Sequence, residues 1–246
     1  MDRLIYTAVS GMSASMARQR MIASNMANAQ TIGFRAELMQ ATPTTITGDG
    51  LDVRALTDAQ VRGASMKEGS ITRTGRLLDI AMQGDVMLAV QAMDGSEAYT
   101  RRGDLSVTAS GVLQNGDGLP VIGEGGPVTV PSGSLVSISP DGGVMVSDPA
   151  LPDEPAQRVA QLKLASTSGT DIGKGLDGLF RVPGGGILPL DQDAELISGA
   201  LEQSNVVPSQ VLVEMVEAQR LFDIRTKVIS TARELDEGSA RLMRIS

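Results

Sequence analysis

PSQVLVEMVEAQRLFDIRTKVISTARELDEGSARLM, from Pro208 to Met243, decides how the rest of the chain is read. After its first residue it holds no Pro, and its one Gly, Gly238, lies near the end. Leu221, Ile224, Val228, Thr231, Leu235, Gly238, Leu242 and Ile245 step by threes and fours along one stripe. Val211, Met215, Ala218, Phe222, Ile229 and Ala232 form a second, adjoining stripe. Together they make an apolar face wider than a two-stranded coiled-coil seam. Charges fill the remainder, with Asp223/Lys227 and Glu237/Arg241 at i,i+4 spacing. At the usual rise per residue the stretch predicts a helix about 54 Å long. A helix of this kind must bury its face against something.

The N-terminus offers a partner. Ile5, Val9, Met12, Met16, Gln19, Ala23 and Met26 step by four and three, with Gly11 the one interior Gly and Pro and Cys absent. The pattern stops at Gly33, a residue suited to the left-handed conformation that ends helices. One reading is an intramolecular helical hairpin. The other is that both helices pack against copies of themselves. The width of the C-terminal face favours the second, because one short partner would leave part of it exposed.

Between the helices the pattern changes. Residues 36–70 read as an extended connector with one short strand, including a loop at Gly48-Asp49-Gly50. From 71 to 182 short apolar runs alternate with turns. Leu77–Met82, Val86–Val90, Ala98–Thr100, Leu105–Thr108, Pro120–Ile122, Val128–Val130, Val136–Ile138, Val144–Val146, Arg158–Ala165 and Leu179–Val182 are the strand-like runs. Asp94-Gly95, Gly116-Asp117-Gly118 and Asp141-Gly142-Gly143 are among the turns. This predicts an all-β, sandwich- or barrel-like domain inserted between the helices, so the fold class is α+β. The expected organisation is a core helix over 1–35, a connector over 36–70, a β-rich domain over 71–182, a return linker over 183–205 and a core helix over 206–246.

Composition narrows the function. The formal charge of −8 and the scattered basic residues argue against nucleic-acid binding. No stretch is long and apolar enough to span a membrane. The N-terminus carries Arg3 but no continuous apolar segment and no cleavage site, so a cleaved signal peptide is not expected. There is no His and no Cys, which removes the commonest general base, the commonest nucleophile pairings and most metal sites. A pair of carboxylates could still serve glycoside hydrolysis, but sugar clefts are usually lined with aromatics and Trp is absent. Asp117 and Asp141 lack the ligand spacing of a calcium loop and read as hairpin turns. Gly184-Gly185-Gly186 has no following Lys-Ser/Thr and is not a phosphate loop. No enzyme activity, cofactor or metal is expected.

Three motifs then carry a resemblance. Leu4-Ile5-Tyr6-Thr7-Ala8-Val9-Ser10-Gly11-Met12, with Ala23-Ser24-Asn25-Met26-Ala27-Asn28-Ala29-Gln30-Thr31-Ile32-Gly33-Phe34-Arg35, resembles the N-terminal signature of the flagellar rod, hook and hook-associated axial proteins. Ser198-Gly199-Ala200-Leu201-Glu202-Gln203-Ser204-Asn205-Val206 and the long helix after it resemble their C-terminal signature. Thr74–Ala81, Tyr99-Thr100-Arg101-Arg102-Gly103 and Asn115–Val121 are similar to the middle of rod proteins rather than of flagellin or the hook subunit. Gly95–Gly103 and Ser198–Glu202 are more like proximal-rod than distal-rod members. Two positions depart from the pattern: Ser24 and Val207 stand where the family usually has Asn. Pro208 makes Val207 the N-cap, and Val cannot cap with its side chain, which costs roughly 1 kcal/mol against Asn.

The resemblance implies a structural subunit of the basal-body rod, which crosses the periplasm and carries torque from motor to hook. It implies export unfolded through the flagellar type III apparatus. The implied partners are copies of itself and other proximal and distal rod proteins, with no nucleic acid and no membrane insertion. The expected assembly interface is Ile5, Val9, Met12, Met16, Gln19, Asn25, Met26 and Asn28 on the first helix. On the second it is Met215, Phe222, Val228, Ile229, Leu235 and Leu242. Gln19, Asn25 and Asn28 are expected to fix register by bonding across helices. The alternatives are a distal-rod member, or a binding module in which terminal helices trimerise a β head; a closed trimer would have a fixed mass.

Overall fold

In a computed structural model of the chain, the backbone is described for residues 2–45, 55–151 and 154–243, and side chains for 9–40, 63–151 and 154–234. The loop expected at Gly48-Asp49-Gly50 lies outside the described residues. The chain forms two units: residues 1–27, 37–63 and 207–246, and residues 28–36 with 64–206.

The first unit holds α1 (Asp2–Ala27), β1 (Glu37–Thr45), β2 (Ala55–Ala64, of which the last residue falls in the other unit) and α2 (Pro208–Met243). The two helices come from opposite ends of the chain and pack against each other, and β1 lies beside β2. Residues 36–70, expected to be a connector with one short strand, therefore carry a ribbon of nine- and ten-residue strands. Pro43 and the Thr-rich run of β1 conceal it, since Pro normally marks an edge strand or none. α1 also stops earlier than expected. It ends at Ala27, the Thr31 N–H closes a turn on the Asn28 carbonyl (3.1 Å), and Gly33 adopts φ 66° six residues beyond the helix.

The second unit is built from short strands. These are β3 (Ile71–Arg73), β4 (Ile80–Met82), β5 (Val86–Gln91), β6 (Glu97–Thr100), β7 (Ser106–Val107), β8 (Leu113–Gln114), β9 (Ile122–Gly123) and β10 (Gly126–Pro127). There follow β11 (Leu135–Ile138), β12 (Gly143–Ser147), β13 (Gln157–Gln161), β14 (Leu164–Ser166), β15 (Gly173–Lys174), β16 (Phe180–Arg181), β17 (Leu196–Ser198) and β18 (Ala200–Glu202). The central sheet runs β14-β5-β6-β16-β15, and β11-β12-β13 form a second antiparallel sheet.

The central position of β5 follows from its sequence. Val86, Leu88 and Val90 enter one hydrophobic core with Ile80, Leu113, Val121, Leu162 and Leu164. Met87 and Ala89, on the opposite face, enter a smaller core with Tyr99, Phe180 and Leu188. A strand covered on both sides reads as an unbroken apolar run, as VMLAV does here. Arg158–Ala165, expected to be one strand, is split between β13 and β14 in different sheets. The segment expected to be a return linker supplies β17 and β18, which pair antiparallel with β4 and β3.

Candidate assembly site

On α2 the two stripes have different fates. Val211 and Ala218 are buried, and Met215, Phe222, Ile229 and Ala232 are half-buried, so the second stripe is turned inward. In the first stripe Leu221 is half-buried, whereas Ile224 and Val228 are 59% and 49% exposed, and Thr231 is exposed beside them. Val213 and Val216 extend that outward face toward the N-terminal end of the helix, at 59% and 46% exposed. The polar positions Gln219, Asp223, Thr226 and Ser230 form a separate exposed strip.

α1 shows the same division. Its buried positions are the small or polar Ala14, Ser15 and Asn25 together with Ile22. Val9 and Met16 are exposed, and Met12, Gln19 and Met26 are half-buried. The stripe read from the sequence is thus divided between exposed and half-buried positions, and the buried line, i, i+7/8, i+11, was missed because Ala and Ser carry little hydrophobic signal. The side chains of Ile5, Leu235 and Leu242 lie outside the described residues.

A polar contact sits in the helix pair. Arg225 of α2 donates from Nη1 to the Gly11 carbonyl and the Ser15 hydroxyl of α1. Asn25, by contrast, does not reach across to another helix. Its Nδ2 donates to the Glu37 carbonyl (3.1 Å) and its Oδ1 accepts from the Glu37 N–H (2.8 Å). The amide thus takes the place of a strand neighbour and pins the start of β1 to the end of α1. Ser24 adds a bond from Oγ to Glu37 Oε1 (3.1 Å). Asn28 accepts from the Thr31 hydroxyl (3.1 Å) in the turn after α1, and Gln19 is half-buried on α1. Within the chain, Asn25 thus binds the start of β1 and Asn28 binds the turn after α1.

The motif residues that are not on the helices meet in the second unit. Glu202, 2% exposed, sits between two buried arginines. Arg101 Nε and Nη2 each lie 2.7 Å from its Oε2, and Arg35 Nη2 lies 2.9 Å from its Oε1. The Gly69 N–H donates to the same Oε1 (2.7 Å). Arg101 also donates to the carbonyls of Met82 (2.9 Å), Gly84 (2.7 Å) and Val86 (2.5 Å). Arg35 has no such surplus of acceptors: its pairing is with charge alone. Burial holds its guanidinium below the ordinary value, Arg101 beside it pushes the same way, and Glu202 opposes both. Lys174 stands 3.5 Å over the Phe34 ring and donates to the Arg35 carbonyl (2.9 Å).

This packing explains the glycines of the motifs. A Cβ on Gly69 would fall 1.9 Å from the Gln203 carbonyl oxygen, and one on Gly103 would fall 1.8 Å from that of Ile80. Gly33, left-handed and against the Arg101 backbone, donates its N–H to the Glu202 carbonyl (2.8 Å). Sequence reasoning singled out Gly33, Arg35, Arg101, Gly103 and Glu202 through a resemblance but not as one site, and it gave no signal for Gly69 or Lys174. An Arg, an Arg and a Glu spread over residues 35 to 202 give no local pattern.

No group of His, Cys, Asp and Glu that could hold a metal occurs among the described residues. No helix there is long and apolar enough to cross a membrane. The terminal helices thus leave apolar side chains exposed, and the β-rich unit is locked by buried ion pairs. Residues 5–35 match the family described as "Flagella basal body rod protein". Residues 81–146 match "Flagellar hook protein FlgE/F/G D1 domain", and 197–242 match "Flagellar basal body rod FlgEFG protein C-terminal". The chain is 39% identical to the flagellar basal-body rod protein FlgF of Salmonella typhimurium over the full length of both. It is 39% identical to FlgF of Escherichia coli K12, covering 98% of this chain and 97% of that one. Against FlgG of Bacillus subtilis the identity is 29%, over 99% of this chain and all of the other. The chain belongs to the flagellar basal-body rod protein family and is FlgF-like. It is a structural component of the basal body and not an enzyme.

Proposed function

We propose that this chain is a proximal-rod subunit that assembles helically, alongside copies of itself and other rod proteins, through the uncovered stripes of its terminal helices. The observation that carries the reading is the double-sided apolar character of α2. Its inward stripe is satisfied within the chain, and Val213, Val216, Ile224 and Val228 remain in water. Apolar side chains exposed together on one side of a helix, here interspersed with the exposed charges of Glu217, Arg220 and Lys227, mark a protein contact. A contact between different faces of neighbouring copies propagates as a helix instead of closing on itself. Torque passes from motor to hook through the tube so formed, in the part of the rod that crosses the periplasm. Delivery as an unfolded chain by the flagellar export apparatus fits the same design, because both helices reach the assembly site before their outer stripes are covered. Helix-trimerised binding modules are not supported by the comparisons above, and the distal-rod reading sits behind the lower identity to FlgG.

The test is substitution on the outer stripe. Ile224→Glu is expected to change the stability of the isolated chain by no more than about 0.5 kcal/mol, since the site is exposed. It is expected to abolish incorporation into purified basal bodies and to stop swimming. Normal basal bodies carrying the variant would refute the interface.

A further inference from the structure

The chain passes between its two units four times, at residues 27/28, 36/37, 63/64 and 206/207. Within the second unit, three of these passages lie within one or two residues of Asn205 itself or of a partner of its side chain, Ala36 or Ser65. Its Oδ1 accepts from the Ala36 N–H (2.7 Å). Its Nδ2 donates to the carbonyls of Ser65 (2.9 Å) and Lys67 (2.8 Å). Backbone bonds draw the same segments together: Ser65 N–H to the Ala36 carbonyl (2.7 Å), Asn205 N–H to the Phe34 carbonyl (3.2 Å) and Gln203 N–H to the Ser70 carbonyl (2.8 Å). The segment leading in from α1 is secured a step away, where the Gly33 N–H donates to Glu202 and Arg35 pairs with its carboxylate.

An Asn amide offers an acceptor and two donors, and here both donors and the acceptor are used, on two separate segments besides its own. Aspartate at this position keeps the acceptor and loses the donors. The physical consequence concerns force. Separate chain segments running between two bodies act as independent tethers unless they are tied to one another at the point of entry. We propose that Asn205 is the positioning residue that ties the crossing segments into one mechanical junction, so that load on the helices enters the β-rich unit through all of them together. This rests on the rod reading given above, since a subunit that carries no torque has no need of such a junction.

Two measurements on the purified chain test it, with Asn205→Asp and Asn205→Ala compared against the buried-core variant Leu162→Ala. The first is amide hydrogen exchange. Both Asn205 variants are expected to speed exchange at Ser65 and Gln203 by about tenfold, with β5 and β6 unchanged; the N–H bonds of Ser65 and Gln203 do not themselves involve Asn205. The second is force spectroscopy with handles on cysteines introduced by Ser230→Cys and Leu176→Cys. The force at which residues 203–206 peel from the second unit is expected to fall in both Asn205 variants and not in Leu162→Ala. Uniform acceleration of exchange, or a peeling force that tracks global stability in all three variants, would overturn the junction. Failure of the rod reading would appear separately, as absence of the wild-type chain from purified basal bodies.

Discussion

At the residue scale the molecule is governed by a few buried polar groups whose partners come from distant parts of the chain. Glu202 is the clearest. Neutralising it leaves Arg35 and Arg101 as buried cations without a counter-charge, and breaking a buried pair in this way costs about 3–5 kcal/mol. Glu202→Gln is therefore expected to lose stability in that range in urea unfolding, with the slope of the transition unchanged. A loss below about 1 kcal/mol would show that water reaches the site. Asp141 makes a different kind of prediction. The Ser139 hydroxyl and then Arg158 hold its carboxyl at about 2 in the folded chain, below the ordinary range near 4. A depressed carboxylate stabilises above its unfolded pKa and loses that contribution as pH falls through its folded pKa. The Asp141 carboxyl resonance is thus expected to titrate near pH 2, and its contribution to stability to vanish between about pH 4 and 2. A midpoint near 4 would mean that the contacts with Ser139 and Arg158 do not form in solution. Little of this was legible beforehand. Gly33, Arg35, Arg101, Gly103, Glu202 and Asn205 were all visible as motif residues, but a motif names a position and not its partner.

At the element scale, periodicity was informative where an element is long or doubly covered. α2 has the expected span, and β5 was legible because both its faces are apolar. The ribbon β1/β2 was not, because the Thr, Gln and Pro of its sequence give no alternation. β17 and β18 were missed because their partners β4 and β3 lie more than a hundred residues away. The expected start of α2 is seen directly: the Val211 N–H bonds the Val207 carbonyl (3.1 Å), which makes Val207 the N-cap with Pro208 at the first helical position. Its side chain can accept nothing from the first turn. Val207→Asn is expected to stabilise the chain by about 1 kcal/mol and to slow amide exchange at Ser209 and Gln210. An unchanged melting curve together with unchanged exchange would mean that the first turn is already capped by another group. The stripes teach the same lesson from the other side. Two adjoining stripes were read as one wide face, and only packing separates the one that α1 covers from the one that stays outside.

At the scale of the whole molecule, the design is a chain whose ends pair and whose middle makes a β-rich body with its own two cores. The hairpin that the sequence left open is formed by one face of each helix, and the surface we propose for other chains is a different face of the same helices. That division is tested by placing a photo-crosslinking amino acid at single positions of α2 in rods purified from cells. Ile224 and Val228 lie on the outer apolar stripe, and Thr226 and Ser230 on the polar strip. The account predicts adducts between subunits from Ile224 and Val228, and few or none from Thr226 and Ser230. Equal cross-linking from all four positions, or adducts confined to the polar strip, would contradict it.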